Sequence, residues 1–167
     1  MVVSAGQNYT GTDSRPGGVI VLTNAEARLN ISGGIIRNTS TSALARVINN
    51  HDSNHADAVV ITGGRIAAEN ITGTSATIGV AIRNGADGNI SISGQNTVIR
   101  SGASNSTADI NPGTIFMESG SGDLTVSGGA TIENTRTDAP NYAIYQHDDY
   151  TGTFSNNGGI ITGEIYP

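Results

Sequence analysis

Cysteine and lysine are both absent from this chain, and the two absences exclude several kinds of chemistry. Without cysteine there is no disulfide bond, no reactive thiolate and no cysteine-ligated metal. Without lysine there is no Schiff base, no P-loop lysine and no isopeptide crosslink through a lysine amine. Basic charge is scarce as well, because eight arginines face fourteen acidic residues and the net charge is −6. Nucleic-acid binding needs a basic face, so we expect no nucleic-acid partner.

Large side chains and long apolar runs are also missing. Aromatic residues make up 4% of the 167 residues, and tryptophan is absent. That composition suits a narrow interior better than a compact globular core. No apolar run reaches the roughly 18 residues of a membrane span, and we expect no signal peptide before Val2 within this segment. No segment keeps the i, i+3, i+4, i+7 spacing of a helix over three turns, so we expect neither a membrane span nor helices.

A short phrase recurs instead: alternating apolar and polar residues that end in a small polar residue and glycine. Its first glycines stand at positions 33, 63, 94, 128 and 158, so the steps are 30, 31, 34 and 30 residues. A fixed period of this size indicates one supersecondary unit that is repeated and stacked. Its members are Leu29–Gly34, Val59–Gly64, Ile90–Gly94, Leu124–Gly129 and, more loosely, Asn156–Gly159.

The residue pattern within each repeat predicts three short strands. The phrase alternates with period two, which is typical of a strand with one buried face. The glycines then make a corner, a second apolar strand follows, and a polar loop leads to a third strand. We therefore predict an all-β parallel solenoid of five to six coils, each of roughly 31 residues, with Gly6 as an earlier corner. A β-sandwich is the alternative fold; it explains short strands but not a single period.

The pattern resembles the right-handed parallel β-helix repeats of the pectate-lyase-like superfamily, and among them the non-catalytic repeats of large bacterial surface proteins. The residues that carry the resemblance are the Ile/Val-Ser/Thr-Gly-Gly phrases and the Ile-x-Asn that follows two of them, ending at Asn38 and Asn134. The resemblance implies one β-helix domain over residues 1–167, either a segment of a larger protein or a self-stacking unit. It also implies an extracellular or cell-surface location.

An aromatic group is the first candidate site. Aligning the third strands on their isoleucines puts Phe116 beside Tyr145 on an outer face, with Tyr142 and Tyr150 near. Such rings could stack on a sugar or be buried against a partner. The alternative is that a loop covers them. We take these four residues as the candidate binding residues for a glycan or another cell-surface ligand.

The second candidate is a pair of His-Asp dipeptides, His51-Asp52 and His147-Asp148, in equivalent loops. Histidine and carboxylate could bind a metal or move a proton. The pairs fall three coils apart, about 14 Å by the strand spacing, which is too far to share one ion. We therefore expect solvated loop residues, no metal site and no cofactor.

The two ends of the solenoid are the third candidate. The chain begins in a strand at Val2 and Val3, and Ile165 and Tyr166 are expected to follow the second strand of an unfinished coil. Uncapped ends expose strand edges that can pair with another copy. We expect a non-enzymatic structural or adhesive solenoid. The alternatives are a subunit of an end-to-end filament and a polysaccharide lyase or hydrolase.

Overall fold

The computed structural model describes residues 2–5, 18–39, 46–68, 79–102, 113–137 and 140–167, with the backbone alone for 2–5. Within these ranges the chain is all β and contains no helix. The strands, in chain order, are β1 (Val2–Ala5), β2 (Ile20–Leu22), β3 (Leu29–Asn38), β4 (Arg46–Asn50), β5 (Val59–Ala68), β6 (Val80–Asn84), β7 (Ile90–Ile92), β8 (Thr97–Ser101), β9 (Ile115–Met117), β10 (Leu124–Ser127), β11 (Thr131–Asn134), β12 (Tyr142–Gln146), β13 (Phe154–Asn157), β14 (Ile160–Thr162) and β15 (Glu164–Tyr166).

These strands form two parallel sheets in which each strand pairs with its equivalent one coil away. One sheet has the order β15-β12-β9-β6-β4-β2, and the other runs β13-β10-β7-β5-β8-β11-β14, with β3 beside β5 and β1 beside β3. This is the predicted parallel β-solenoid. It has about four turns, slightly fewer than the five to six coils expected, since that count included Gly6, which lies outside the described residues.

The glycine corners differ along the solenoid. In β3 and β5 the predicted first and second strands form one continuous ten-residue strand. Later coils break at the corner into separate strands, as predicted. Gly64 sits at such a corner with φ +95°, a conformation that L side chains rarely adopt. A Cβ there would lie 2.6 Å from the carbonyl oxygen of Gly34, so the corners of adjacent coils are in close contact.

The interior consists of stacked isoleucine columns. The predicted alignment of the third strands is confirmed by the register of the six-stranded sheet. Full burial of each such side chain contributes about 1.5–3 kcal/mol. The column of this sheet contains Ile20, Ile48, Ile82, Ile115, Ile144 and Ile165. The phrases also point inward as predicted, with Val59, Ile61, Ile90, Ile92, Leu124 and Val126 buried.

One prediction about the C-terminal coil is wrong. Ile165 and Tyr166 do not end a coil after its second strand, because they lie in β15, a third strand that pairs with β12. Only Gly163, with φ +123°, separates β15 from β14. The sequence analysis expected a polar loop at that point and therefore missed the strand.

Candidate functional site

An aromatic column runs up the six-stranded sheet next to the isoleucine column. Its register places Phe116 opposite Tyr145 and Tyr145 opposite Tyr166. The Phe116 and Tyr145 ring centroids are 5.9 Å apart, which confirms the predicted neighbours. Tyr145 and Tyr166 stack with centroids 4.6 Å apart and an interplanar angle of 5°. The sequence alignment stopped at Tyr145, so it did not include Tyr166 in this column.

Three tyrosines pack closely at the C-terminal end of this column. We call Tyr142, Tyr145 and Tyr166 the tyrosine cluster. The Tyr142 ring centroid is 5.3 Å from that of Tyr145 and 5.4 Å from that of Tyr166. Burial raises the pKa of Tyr142, and the neighbouring Glu164 and Tyr166 raise it further. Tyr166 is 37% exposed, so the cluster reaches the surface.

The structure buries Phe116, which the sequence analysis placed on an outer face that either binds a ligand or is covered by a loop. Only 2% of the residue is accessible. The Tyr145 ring lies on one side, Arg83 occupies the register position on the other, and the His147 ring makes an edge contact at 6.5 Å. A ring enclosed in this way supports its neighbours and offers no surface to a ligand.

Tyr150 serves a different part of the molecule from the tyrosine cluster. Its hydroxyl lies 3.0 Å from the Gly122 carbonyl oxygen and 3.1 Å from that of Thr153, and its ring packs against the core. Burial, with the nearby Asp123 charge, raises the pKa of Tyr150 to about 12. The side chain therefore joins the loops of successive coils.

On the N-terminal side of Phe116, the same column contains Asn49 and Arg83, both buried, and Arg83 pairs with the partly exposed Glu118. Arg83 Nη1 donates to Asn49 Oδ1 at 2.9 Å, and Arg83 Nη2 forms an ion pair with Glu118. Burial lowers the pKa of Arg83 to about 10. The Glu118 side chain is 32% exposed, so solvent screens the ion pair and the cost of burial falls mainly on Arg83.

The histidines make contacts within their own loops. His51 Nδ1 lies 2.7 Å from Asp52 Oδ1, and His147 Nδ1 lies 3.4 Å from Asp149 Oδ2. The backbone N–H of Asp57 donates to His55 Nδ1 at 2.9 Å. Nowhere in the described ranges do three His, Asp or Glu side chains come together as a metal-binding group.

Two seams of Asn, Asp, Ser and Thr side chains join the loops of successive coils. In the first seam, Asn54 Oδ1 accepts the Asp87 N–H at 3.3 Å. Asp87 Oδ1 in turn accepts from the backbone N–H of Ser121 at 2.8 Å and from its hydroxyl at 3.1 Å. Partners lie 33 or 34 residues apart, so each bond links one coil to the next.

The second seam has the same arrangement two residues further along the loops, since Asn89 follows Asp87 and Asp123 follows Ser121. Asn89 Oδ1 accepts the Asp123 N–H at 2.9 Å. Asp123 Oδ1 accepts from the Thr153 N–H at 2.9 Å and from its hydroxyl at 2.7 Å, and these bonds lower the pKa of Asp123. The sequence analysis missed both seams, although the 34-residue step from Asn89 to Asp123 matches a step of the glycine phrase.

Buried asparagines satisfy the backbone where strands meet loops. Asn50 and Asn84 bond to each other at 2.6 Å across one coil. Asn38 and Asn134, which the sequence analysis singled out, play matching roles. Each donates from Nδ2 to a carbonyl oxygen eight residues on, that of Arg46 at 2.8 Å or that of Tyr142 at 2.7 Å.

The residues predicted at the ends lie in edge strands. Val2 and Val3 in β1 pair with Ile35 and Ile36 of β3. At the other end, Ile165 and Tyr166 of β15 are both exposed. The two ends are therefore built from strands whose outer edges have no partner strand among those described.

Comparison with known proteins adds no relative, since no family model, curated protein or solved structure matches the chain. The described part of the chain also contains no helix with the length and apolarity that crossing a membrane requires.

Proposed function

We propose that this chain is a non-enzymatic structural or adhesive β-solenoid that works outside the cell or at a bacterial cell surface. The observation that supports the proposal is where its polar side chains are used. The carboxylates of Asp87 and Asp123, and the amides of Asn54 and Asn89, bond to the next coil. Side chains used in this way fix the stacking of coils, which supports a structural role.

Enzymatic activity is the first property to test. Polysaccharide cleavage on a solenoid wall needs carboxylates that converge on one sugar, about 5–10 Å apart in hydrolases. We expect no new reducing ends or unsaturated products when the chain is incubated with acidic polysaccharides, with and without Ca²⁺. Turnover that Asp52→Asn or Asp148→Asn abolishes would overturn the proposal.

Location is the second property to test. An antibody against the chain should label intact source cells as strongly as permeabilised ones. Labelling that requires permeabilisation would contradict a surface role while leaving the solenoid itself unaffected.

The tyrosine cluster supports adhesion to a glycan as a second candidate function. The exposed Tyr166 ring stacks on Tyr145 with one face and is flanked by the inclined Tyr142 ring, so its other face is the kind of apolar surface on which a sugar ring stacks. Binding on a glycan array should be lost in Tyr142→Ala and Tyr166→Ala. Tyr150→Phe is the matched control, because Tyr150 lies in a loop contact and should leave binding unchanged.

A further inference from the structure

The exposed apolar side chains lie at the two ends of the solenoid. Among the described residues, each large hydrophobic side chain that is exposed belongs to an early strand, β2 or β3, or to a late strand, β14 or β15. In the coils between them, the residues at the same register positions are buried or half-buried. The exposed residues are Val21, Ile35, Ile160, Ile165 and Tyr166.

The two ends continue the same columns. Ile20 and Val21 of β2 begin the isoleucine and aromatic columns, and Ile165 and Tyr166 of β15 finish them. A second copy whose β2 extends the sheet beyond β15 would place Ile20 on Ile165 and Val21 on the open face of Tyr166. Pairs of an aromatic and a β-branched residue are among the favourable neighbours across strands.

In the other sheet, β1 and β14 are placed so that they can pair when β2 of one copy pairs with β15 of another. Val2 and Val3 begin two columns of the second strands, and the pairings carry these columns to Ile160 and Ile161 of β14. A copy seated with β2 on β15 therefore has β1 on β14. Two strand junctions form at once, with Val2 at the register position of Ile160.

The edge strands carry few of the devices that prevent strand pairing. Soluble proteins commonly protect exposed edge strands with charged residues, proline or bulges. β1, β2, β13 and β14 carry no charged residue, and β15 carries only Glu164. Glu164 and the register shift between β12 and β15 lie at the start of β15, so Ile165 and Tyr166 keep a regular register for another coil.

We propose that the face formed by β14 and β15 binds the face formed by β1 and β2 of a second copy of this chain, head to tail. The inference deepens the structural role proposed above and rests on it. Such a contact joins two different surfaces, so it repeats along the axis and builds an open filament. The junction is small, since β2 and β15 contribute three residues each. Contacts well below about 1,200 Å² are weak, so association requires high protein concentration.

The test uses two variants, each of which blocks one end. Val21→Lys damages only the face of β1 and β2, and Ile165→Lys only the face of β14 and β15. Both side chains are exposed, so both variants should fold, which circular dichroism checks. In sedimentation and light scattering, the mass of the wild-type chain should rise with concentration, and each variant alone should remain monomeric.

The mixture of the two variants gives the decisive result. Each variant keeps the end that the other has lost, so an equimolar mixture should form dimers and nothing larger. Ala56→Lys, in an exposed turn of a middle coil, is the control and should associate like the wild type. A wild-type chain that stays monomeric, variants that associate like the wild type, or a mixture without dimers would each overturn the inference. The polysaccharide and cell-labelling assays score the proposed function separately.

Discussion

The middle coils and the last coil are built from the same repeat but differ sharply in burial. Every residue of β4 and β6 is buried, whereas most residues of β13, β14 and β15 are exposed. Ile82 and Ile165 occupy one column, yet Ile82 is inaccessible and Ile165 is 44% exposed. Burial in this fold is therefore provided by neighbouring coils rather than by the residues of a coil itself, as expected for a stack of repeats.

The largest effect should come from truncating an isoleucine of the buried column in a middle coil, compared with the same truncation in the last coil. Ile82→Ala removes buried methyl groups between Ile48 and Ile115, and we expect it to lower the free energy of unfolding by about 2–5 kcal/mol. Ile165→Ala at the open end should cost less than about 1 kcal/mol. Urea unfolding followed by circular dichroism measures both. Equal losses would show that the last coil is as well packed as the middle ones.

The glycine corners offer a second comparison of the same regions. Gly64 and Gly158 both have positive φ, so alanine strains either one by about 1–2 kcal/mol. A Cβ at Gly64 also meets the backbone of Gly34, whereas a Cβ at Gly158 meets nothing within 4 Å. We expect Gly64→Ala to cost about 1–3 kcal/mol more than Gly158→Ala because of this crowding.

Gly33→Ala is the matched control for these corners. Gly33 has nothing within 4 Å of a built Cβ, and its φ is not positive, so the variant should unfold like the wild type. If Gly64→Ala and Gly158→Ala are equally destabilised, the contact between adjacent coils contributes nothing at the corner.

Tyr150 tests how firmly the last loop is attached to the coil beneath. Tyr150→Phe removes a hydroxyl that lies close to two carbonyl oxygens and should cost about 0.5–1.5 kcal/mol. The pKa of Tyr150 is raised from 10.0 to about 12, so the folded state keeps its proton longer than the unfolded state. This part of the stability is complete below pH 10 and falls as the pH rises towards 12. Between pH 10 and 12, the free energy of unfolding should fall less steeply with pH in Tyr150→Phe than in the wild type.

Asp123 should give the smallest effect, because its side chain is exposed. Bonds from Thr153 lower its pKa below 3.8, so the stability that it contributes is present above pH 3.8 and is lost as the pH falls through the lowered value. Asp123→Asn keeps an acceptor oxygen but has no proton to gain, so its acid unfolding curve should be flatter. Thr153→Ala removes one of the two donors and should give an intermediate curve. Identical curves for all three proteins would contradict a role for this bond.

The sequence predicts the columns well, because alternation and the glycine phrase together give a residue its strand, its face and its level. The alignment of the repeats is enough to predict that Phe116 lies beside Tyr145. The repeat gives a residue's neighbours along the axis but not what covers its outer face, so the sequence left open whether Phe116 is exposed or covered. β15 was missed because Gly163 replaces the expected loop, and the seams were missed because Asn89 and Asp123 resemble ordinary loop residues.

The direction of the ladders has a mechanical consequence. The hydrogen bonds of both sheets run along the solenoid axis, and β15 pairs with β12 and with no other strand among those described. A force that pulls on the last strand therefore acts on one strand pair at a time. We expect the strands to detach in sequence from the end, each at a low force. A compressive load is shared by every column at once. We therefore expect a solenoid stacked in this way to resist compression along its axis better than extension.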